Sequence, residues 1–357
     1  MDREKYSEFE NGNKSIAVKR ITALWALSET TLGGVLHALH IPLTGIFIGG
    51  AAIIFITLIA YFSEQKISII KATLIVLIVK VVVSPYTPIA AYFSVLLQGI
   101  FGQIIFINKK HLSLSAFVLS VTTLLFFGFQ KVIIYTIVFG KTLWQSIDVY
   151  ANFILEQLQI NGQNAHSIHF SFIMISIYIL MHLIAGIIIG ILAGKMPNWL
   201  TNSIEKNDYY LINVNSESEL KFFTAKNKKN KYLGKRRFGI LFFVVAIGSI
   251  ILSYLTPGLG SNQAIDVALM IFRALIITLI WYFYFSPLLI NYSKKYLNKH
   301  QKIYAGEVEE IISLLPHLKN ILFHCWTKSS EYKGLQKYRL FLTYSLITML
   351  LTNFNFE

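Results

Sequence analysis

Long apolar runs separated by short polar segments recur along the whole chain. A helix that crosses the apolar core of a bilayer needs about 20 predominantly apolar residues. Runs of this kind predict eight membrane-spanning helices, at 20–39, 42–62, 67–84, 87–107, 112–138, 168–194, 237–256 and 266–290. The pattern therefore predicts an all-α fold, a polytopic transmembrane helical bundle of six spans plus two.

Two shorter stretches fit this scheme less simply. Residues 148–160 are amphipathic and predict an external helix. Residues 339–354 are apolar but short for a standard span. They can lie in the membrane interface, pack on a partner or form a ninth span, and a ninth span would place the C-terminus outside.

Composition and charge support the membrane prediction and orient it. The chain is 55% hydrophobic and 14% charged, with a mean hydropathy of +0.57, whereas soluble domains are about 25% charged. Its net charge of +14 would suggest nucleic-acid binding in a soluble protein. All but four of the 32 lysines and arginines fall in the N-terminal tail and in alternate connections, the exceptions being Lys80, Lys131, Lys141 and Arg273. The positive-inside rule then places both termini in the cytoplasm, and no nucleic-acid partner is predicted.

The charge pattern also divides the chain into segments. We predict a cytoplasmic tail (1–19), a six-span membrane domain (20–196), a basic cytoplasmic linker (197–235), a two-span unit (236–291) and a cytoplasmic or interfacial helical region (292–357). The basic run 226–237 is expected to contact anionic lipid headgroups. The predicted location is the cytoplasmic (inner) membrane.

The last segment contains a stretch, 307–326, with apolar residues at helical spacing. Those positions are Ile311, Leu314, Leu315, Leu318, Ile321 and Leu322. Pro316 predicts a kink or a break into two helices. The apolar face predicts either a helix lying on the membrane or a docking helix for a cytoplasmic partner.

Charged residues at membrane depth are costly, so they are the first candidates for function. Glu29 lies midway along the first predicted span, and His37 and His40 follow on the same helix face. Lys80 and Lys131 lie in the outer halves of the third and fifth predicted spans. These five residues predict a substrate-binding pocket open to the outside. The alternative is that Glu29 pairs with a lysine to hold helices together, while Lys80 and Lys131 extend to the outer interface.

Amides and imidazoles provide further candidates. Gln98 and Gln103 lie among glycines in the fourth predicted span, which favours a helix-packing role. Two His-x-x-His pairs, His37 with His40 and His166 with His169, have a spacing that can bind a divalent metal. No acidic or cysteine cluster accompanies them, so they are weak metal candidates and no cofactor is predicted.

Residues 20–194 resemble the substrate-binding S subunits of energy-coupling-factor (ECF) vitamin transporters. The resemblance lies in six spans with the N-terminus inside and in the Pro-Leu-Thr-Gly-Ile-Phe-Ile-Gly-Gly stretch that ends at Gly50. It implies capture of a solute from outside and docking of the first span on a coupling subunit, through Ala23, Ala26 and Ser28. Residues 230–357 look loosely like a truncated coupling (T) subunit.

The predicted function is a membrane subunit that binds or translocates a small organic, anionic solute. Gly-x-Ser-x-Gly, Walker A and His-Glu-x-x-His motifs are absent. We therefore predict no enzymatic activity, and any ATPase is expected on a separate chain. The alternatives are an envelope scaffold or assembly protein, and a divalent metal transporter.

Overall fold

The computed structural model describes residues 14–32, 43–63, 65–84, 87–107, 111–158, 169–206, 263–299 and 306–351. All regular secondary structure in these ranges is helical. Four predicted features lie outside the described residues: the span 237–256, the basic run 226–237, the pair His37 and His40, and His166.

The described residues form the following helices in chain order. The first seven are α1 (Lys14–Leu27, continued by a π-helical turn at Ser28–Leu32), α2 (Thr44–Phe62), α3 (Ser68–Val83), α4 (Ile89–Ile105), α5 (Leu112–Phe139), α6 (Lys141–Gln157) and α7 (Phe170–Lys206). The remainder are α8 (Gln263–Ile280, continued by a π-helical turn at Trp281–Phe285), α9 (Ser286–Lys299), α10 (Gly306–Ser329) and α11 (Gly334–Leu351).

Within the described residues, four helices are long and apolar enough to cross a membrane, judged by length and composition. They are Thr44–Phe62, Leu112–Phe139, Phe170–Ser203 and Ala268–Leu289, and they coincide with predicted spans 42–62, 112–138, 168–194 and 266–290. Only 11% of the apolar window of Phe170–Ser203 is buried by protein. Soluble proteins rarely expose apolar surface on that scale, so the prediction of an all-helical chain with several helices able to span a membrane is confirmed. The full set of eight spans and the cytoplasmic termini stay predictions.

The predicted spans 67–84 and 87–107 are represented by shorter helices. Helices α3 and α4 have 16 and 17 residues, which at about 1.5 Å per residue gives less than the roughly 30 Å of a bilayer core. The first predicted span is described only as far as Leu32.

The chain forms two compact units. One comprises Met1–Leu124, Ala185–Asn227 and Ser293–Glu357, and the other comprises Leu125–Ile184 and Lys228–Tyr292. Helices α5 and α7 each contribute one part to each unit. The units therefore differ from the segments predicted from charge, because a long helix can take part in two packing environments.

Two prolines lie inside continuous helices. Helix α7 passes through Pro197 and ends at Lys206, within the segment predicted as linker. Helix α10 passes through Pro316 without a break, so the prediction of a split there was wrong. Proline removes one backbone hydrogen bond, but buried Leu315 and Leu318 on either side hold α10 in place.

Helices α10 and α11 form a C-terminal hairpin that packs on α1 and α3. Its apolar face is buried within the protein, as Ile311, Leu314, Leu315, Leu318 and Ile321 show, while Leu322 is half-buried. The face predicted for a membrane or a partner is thus covered by the chain itself.

Polar contacts fix the hairpin to α1 and α3. Lys19 forms an ion pair with Glu310 at 2.9 Å, and Lys71 forms one with Glu307 at 2.7 Å. The guanidinium of Arg20 donates to the Met349 carbonyl at 3.5 Å, near the end of α11.

Candidate functional site

A buried ion pair joins α1 and α3. Nζ of Lys80 lies 2.6 Å from Oε2 of Glu29, and the two side chains are 5% and 3% exposed. A charge-assisted hydrogen bond of this length is among the stronger polar contacts in proteins. The two residues singled out in separate predicted spans are therefore direct partners.

The carboxylate lies in the π-helical turn that ends the described part of α1. Single π-helical turns are rare and are frequent at functional sites, because they shift the side chains relative to a regular helix. Hydroxyl groups satisfy the carbonyls that the irregular turn leaves available. Ser28 donates to the Trp25 carbonyl and Thr30 to the Ala26 carbonyl, both at 2.8 Å.

The ring of Tyr92, near the start of α4, lies close to the lysine end of the pair. The Tyr92 hydroxyl donates to the Ser84 carbonyl at 2.8 Å, and the Tyr92 ring centroid lies 6.0 Å from Nζ of Lys80. Trp25, one turn before Glu29, is fully buried, and its indole N–H has no hydrogen-bond partner among the described residues.

This arrangement can serve two chemical purposes. As it stands, the pair neutralises two charges that would each be costly to bury alone and so holds α1 against α3. It can also exchange partners, because an incoming carboxylate can replace that of Glu29 on Lys80, provided that the displaced Glu29 gains another partner in the bound state.

The second intramembrane lysine belongs to the other compact unit. Nζ of Lys131 lies 5.7 Å from the Tyr135 ring centroid and 6.0 Å from that of Tyr178. No carboxylate of the described residues forms an ion pair with Lys131, so its ammonium is stabilised by tyrosine rings. His182 is buried beside Tyr178, with ring centroids 4.4 Å apart, and its Nδ1 lies 2.9 Å from the Tyr178 carbonyl.

Of the five predicted pocket residues, the structure brings Glu29 and Lys80 together. Lys131 lies in the other unit, and His37 and His40 lie outside the described residues. The complete pocket stays a prediction, whereas the alternative considered above, a pairing of Glu29 with a lysine, is what the structure contains.

The predicted packing residues all make contacts within the chain. Ala23 and Ala26 are fully buried, and Ser28 is half-buried. Gln98 donates to the Gly49 carbonyl at 3.2 Å, and Gln103 accepts the Ile70 N–H at 3.2 Å. The resemblance implies that the first span docks on a coupling subunit through these alanines. In the structure they are instead covered by this chain's own helices.

Sequence reasoning missed a glycine seam between α5 and α7. Gly186, Gly190 and Gly194 are spaced by four, and this small-x-x-x-small repeat is typical of close helix packing in membranes. Hydroxyl groups of α5 donate across the seam, Ser120 to the Gly186 carbonyl at 2.8 Å and Ser113 to the Gly194 carbonyl at 3.0 Å. The spacing alone would have been enough to find it.

A second close approach involves Arg273, the remaining charge within a predicted span. It is buried, and a Cβ added at Gly140 would collide with its Nη1. Gly140 also has a φ of 76°, a left-handed conformation that favours glycine. The glycine therefore allows the guanidinium to approach the end of α5.

No group of three or more His, Cys, Asp and Glu side chains suited to a metal ion occurs among the residues with described positions. His169, from one of the predicted pairs, instead lies with its Nδ1 3.5 Å from Oδ2 of Asp148. The same carboxylate accepts the Ser171 N–H at 2.7 Å and the Ser171 hydroxyl at 3.0 Å. Asp148 thereby satisfies a backbone donor in the first turn of α7.

This contact predicts an acid-sensitive element. Partial burial opposes ionisation of Asp148, but hydrogen bonds from Ser171 and the neighbouring His169 outweigh it and lower the pKa of the carboxyl below its ordinary 3.8. The stabilisation is thus complete above pH 3.8 and is lost as the pH falls through the lowered pKa. Melting temperatures measured between neutral and acid pH should show this loss in the wild type and a smaller one in Asp148→Asn.

The control is Glu156→Gln, which removes an exposed carboxylate from the same helix and should behave like the wild type. An acid profile of Asp148→Asn that equals the wild-type profile contradicts the assignment.

Comparisons of the chain with protein-family models, with curated proteins and with solved structures found no match.

Proposed function

We propose that this protein is a subunit of the cytoplasmic (inner) membrane that binds or translocates a small organic anion, working with separate ATPase chains. In this proposal the chain crosses the membrane eight times with both termini in the cytoplasm. The observation that carries it is the ion pair between Glu29 and Lys80, buried at a π-helical turn.

The energetics of that pair favour a functional role. Replacing a buried ion pair by apolar residues of similar volume is often neutral or stabilising, so stability alone does not require charges here. Ionisable residues inside membrane helices commonly mark substrate or ion pathways. A carboxylated solute would bind by replacing Glu29 on Lys80, and the indole N–H of Trp25 offers one further buried donor.

The wider charge distribution agrees with an anionic solute. Lys131 is a half-buried cation that pairs with no carboxylate of the described residues. Because Ala23 and Ala26 are covered, a coupling subunit of the ECF type would have to dock on another surface. Among the described helices, Leu112–Phe139, Phe170–Ser203 and Ala268–Leu289 leave most of their apolar length exposed and offer such surfaces.

The proposal is tested by ligand-induced stabilisation of the purified protein. We expect at least one compound in a panel of carboxylated vitamins and small organic acids to raise the melting temperature of the wild type. Lys80→Met should lower the affinity at least about 30-fold, because removing one partner of a buried charge pair costs about 2 kcal/mol or more. Lys141→Gln, which changes an exposed lysine outside this pair, is the matched control and should bind normally.

Two outcomes would favour the alternatives. If charge variants at residues 29 and 80 leave solute uptake unchanged in cells while deletion of 300–357 abolishes function, the protein is better described as an envelope scaffold. If metal ions, and no organic acids, stabilise the protein, and alanine at His37, His40, His166 and His169 removes that effect, it is a metal transporter. Co-purification of an ATPase in mild detergent would support the transport proposal.

A further inference from the structure

The C-terminal hairpin is polarised in charge along its length. Within 306–318 there are three acidic residues, Glu307, Glu309 and Glu310, and no lysine or arginine. Two of these carboxylates are held by Lys19 and Lys71. Within 319–342 the order reverses: the basic residues are Lys319, Lys328, Lys333, Lys337 and Arg339, against the single acidic residue Glu331.

Exposed aromatic and aliphatic side chains lie among these basic residues. Phe323 is 74% exposed, Trp326 40%, Tyr338 55% and Leu342 53%. The Trp326 ring contacts Tyr338, with centroids 6.2 Å apart, and Nζ of Lys337 lies 4.3 Å from the Trp326 centroid. We call these exposed residues, together with Lys333, Lys337 and Arg339, the aromatic–basic patch.

We propose that the aromatic–basic patch binds the anionic surface of the membrane in which the protein lies. Tryptophan and tyrosine favour the boundary between lipid and water, where the ring is embedded and the polar edge remains hydrated. Lysine and arginine next to them are attracted to anionic headgroups within a Debye length. Charge complementarity between the patch and anionic headgroups favours lipid as its binding partner. The apolar helices favour a bilayer beside this chain.

The hairpin connects the proposed lipid contact to the candidate site. Its acidic end is fixed to α1 and α3, the two helices that carry Glu29 and Lys80. Binding of the basic end to lipid would therefore connect the membrane surface, through the hairpin, to the two helices of the candidate site. The inference concerns lipid contact alone and does not depend on the proposed solute.

The test uses the full-length protein in nanodiscs of phosphatidylcholine, with or without phosphatidylglycerol, prepared with brominated acyl chains that quench tryptophan. The fluorescence of Trp326 is obtained by subtracting the signal of Trp326→Phe. We expect brominated lipid to quench this component, more strongly when phosphatidylglycerol is present. Each basic residue near an anionic surface gives about a fivefold preference, so the triple variant Lys333→Gln, Lys337→Gln, Arg339→Gln should lose most of the phosphatidylglycerol-dependent quenching.

Two controls isolate the charge effect. Glu331 lies in the turn between α10 and α11, beside Lys333. Glu331→Gln removes a negative charge, whereas the triple variant removes positive charges, so quenching should be retained or increased. Lys141→Gln removes a lysine elsewhere and should have no effect. Absence of quenching of Trp326 in both nanodiscs, or equal quenching in the wild type and the triple variant, would overturn the proposal. Shielding of Trp326 by a co-purified protein in place of lipid would do the same.

Discussion

Replacing Glu29 by glutamine is expected to destabilise the protein by about 3 kcal/mol or more. The substitution keeps the size of the side chain but leaves the ammonium of Lys80 buried without a counter-charge, and breaking a buried ion pair in this way typically costs about 3–5 kcal/mol. Both side chains are at most 5% exposed, so water cannot take over the lost contact. Unfolding in mixed detergent micelles, followed by helical circular dichroism, measures the change.

The double variant Glu29→Gln, Lys80→Met tests whether the two charges stabilise the protein through their interaction with each other. It removes both charges and should recover most of the stability lost in either single variant, giving a coupling energy of at least about 2 kcal/mol. Lys19→Met is the matched control. It breaks an ion pair whose side chains are 44% and 37% exposed, and such pairs contribute about 0–1 kcal/mol.

The cycle also distinguishes a structural from a functional role. If the pair has only a structural role, the double variant should be stable and should still respond to the organic acids that stabilise the wild type. A binding site predicts a stable double variant that no longer responds to the organic acids that stabilise the wild type. Destabilisation of the double variant equal to the sum of the two single variants would contradict a direct interaction between Glu29 and Lys80.

The sequence identified the charges of this site but not their arrangement. Hydropathy places Glu29 and Lys80 at membrane depth, and the cost of charge there marks both as exceptional. Their pairing requires α1 and α3 to lie side by side, which depends on tertiary packing that local patterns do not encode. The same limit applies to Lys131: its neighbour Tyr135 lies one turn away on the same helix, but its contact with Tyr178 comes from a helix distant in sequence.

The C-terminal hairpin shows the same division between pattern and partner. Apolar spacing predicted the buried face of α10 at Leu314 and Leu318. It did not reveal what covers that face, because an apolar stripe is equally compatible with lipid, another protein or the chain itself. The predicted split at Pro316 was wrong because tertiary contacts outweighed a local preference against helix.

The glycine seam yields the second large effect. A Cβ added at Gly190 would lie 2.9 Å from Cα of Phe117, closer than the two backbones allow, so α5 and α7 must separate. Overpacking of this kind costs about 1–3 kcal/mol, and separation also weakens the hydrogen bond from Ser120 to the Gly186 carbonyl, worth about 0.6 kcal/mol on average in a membrane protein. Alanine also lowers the backbone entropy cost of a helix by up to about 1 kcal/mol, so Gly190→Ala is expected to destabilise the protein by about 1–3 kcal/mol.

The matched control is the same substitution at Gly45, where an added Cβ would meet no other atom within 4 Å. Gly45 lies in the first turn of α2, and alanine lowers the backbone entropy cost of a helix by up to about 1 kcal/mol. Gly45→Ala should leave the stability unchanged or raise it slightly, while Gly190→Ala lowers it in the same unfolding assay. The opposite signs matter because they exclude a general effect of adding a methyl group to a membrane helix. Similar stability changes in the two variants would show that α5 and α7 are not packed backbone to backbone at Gly190.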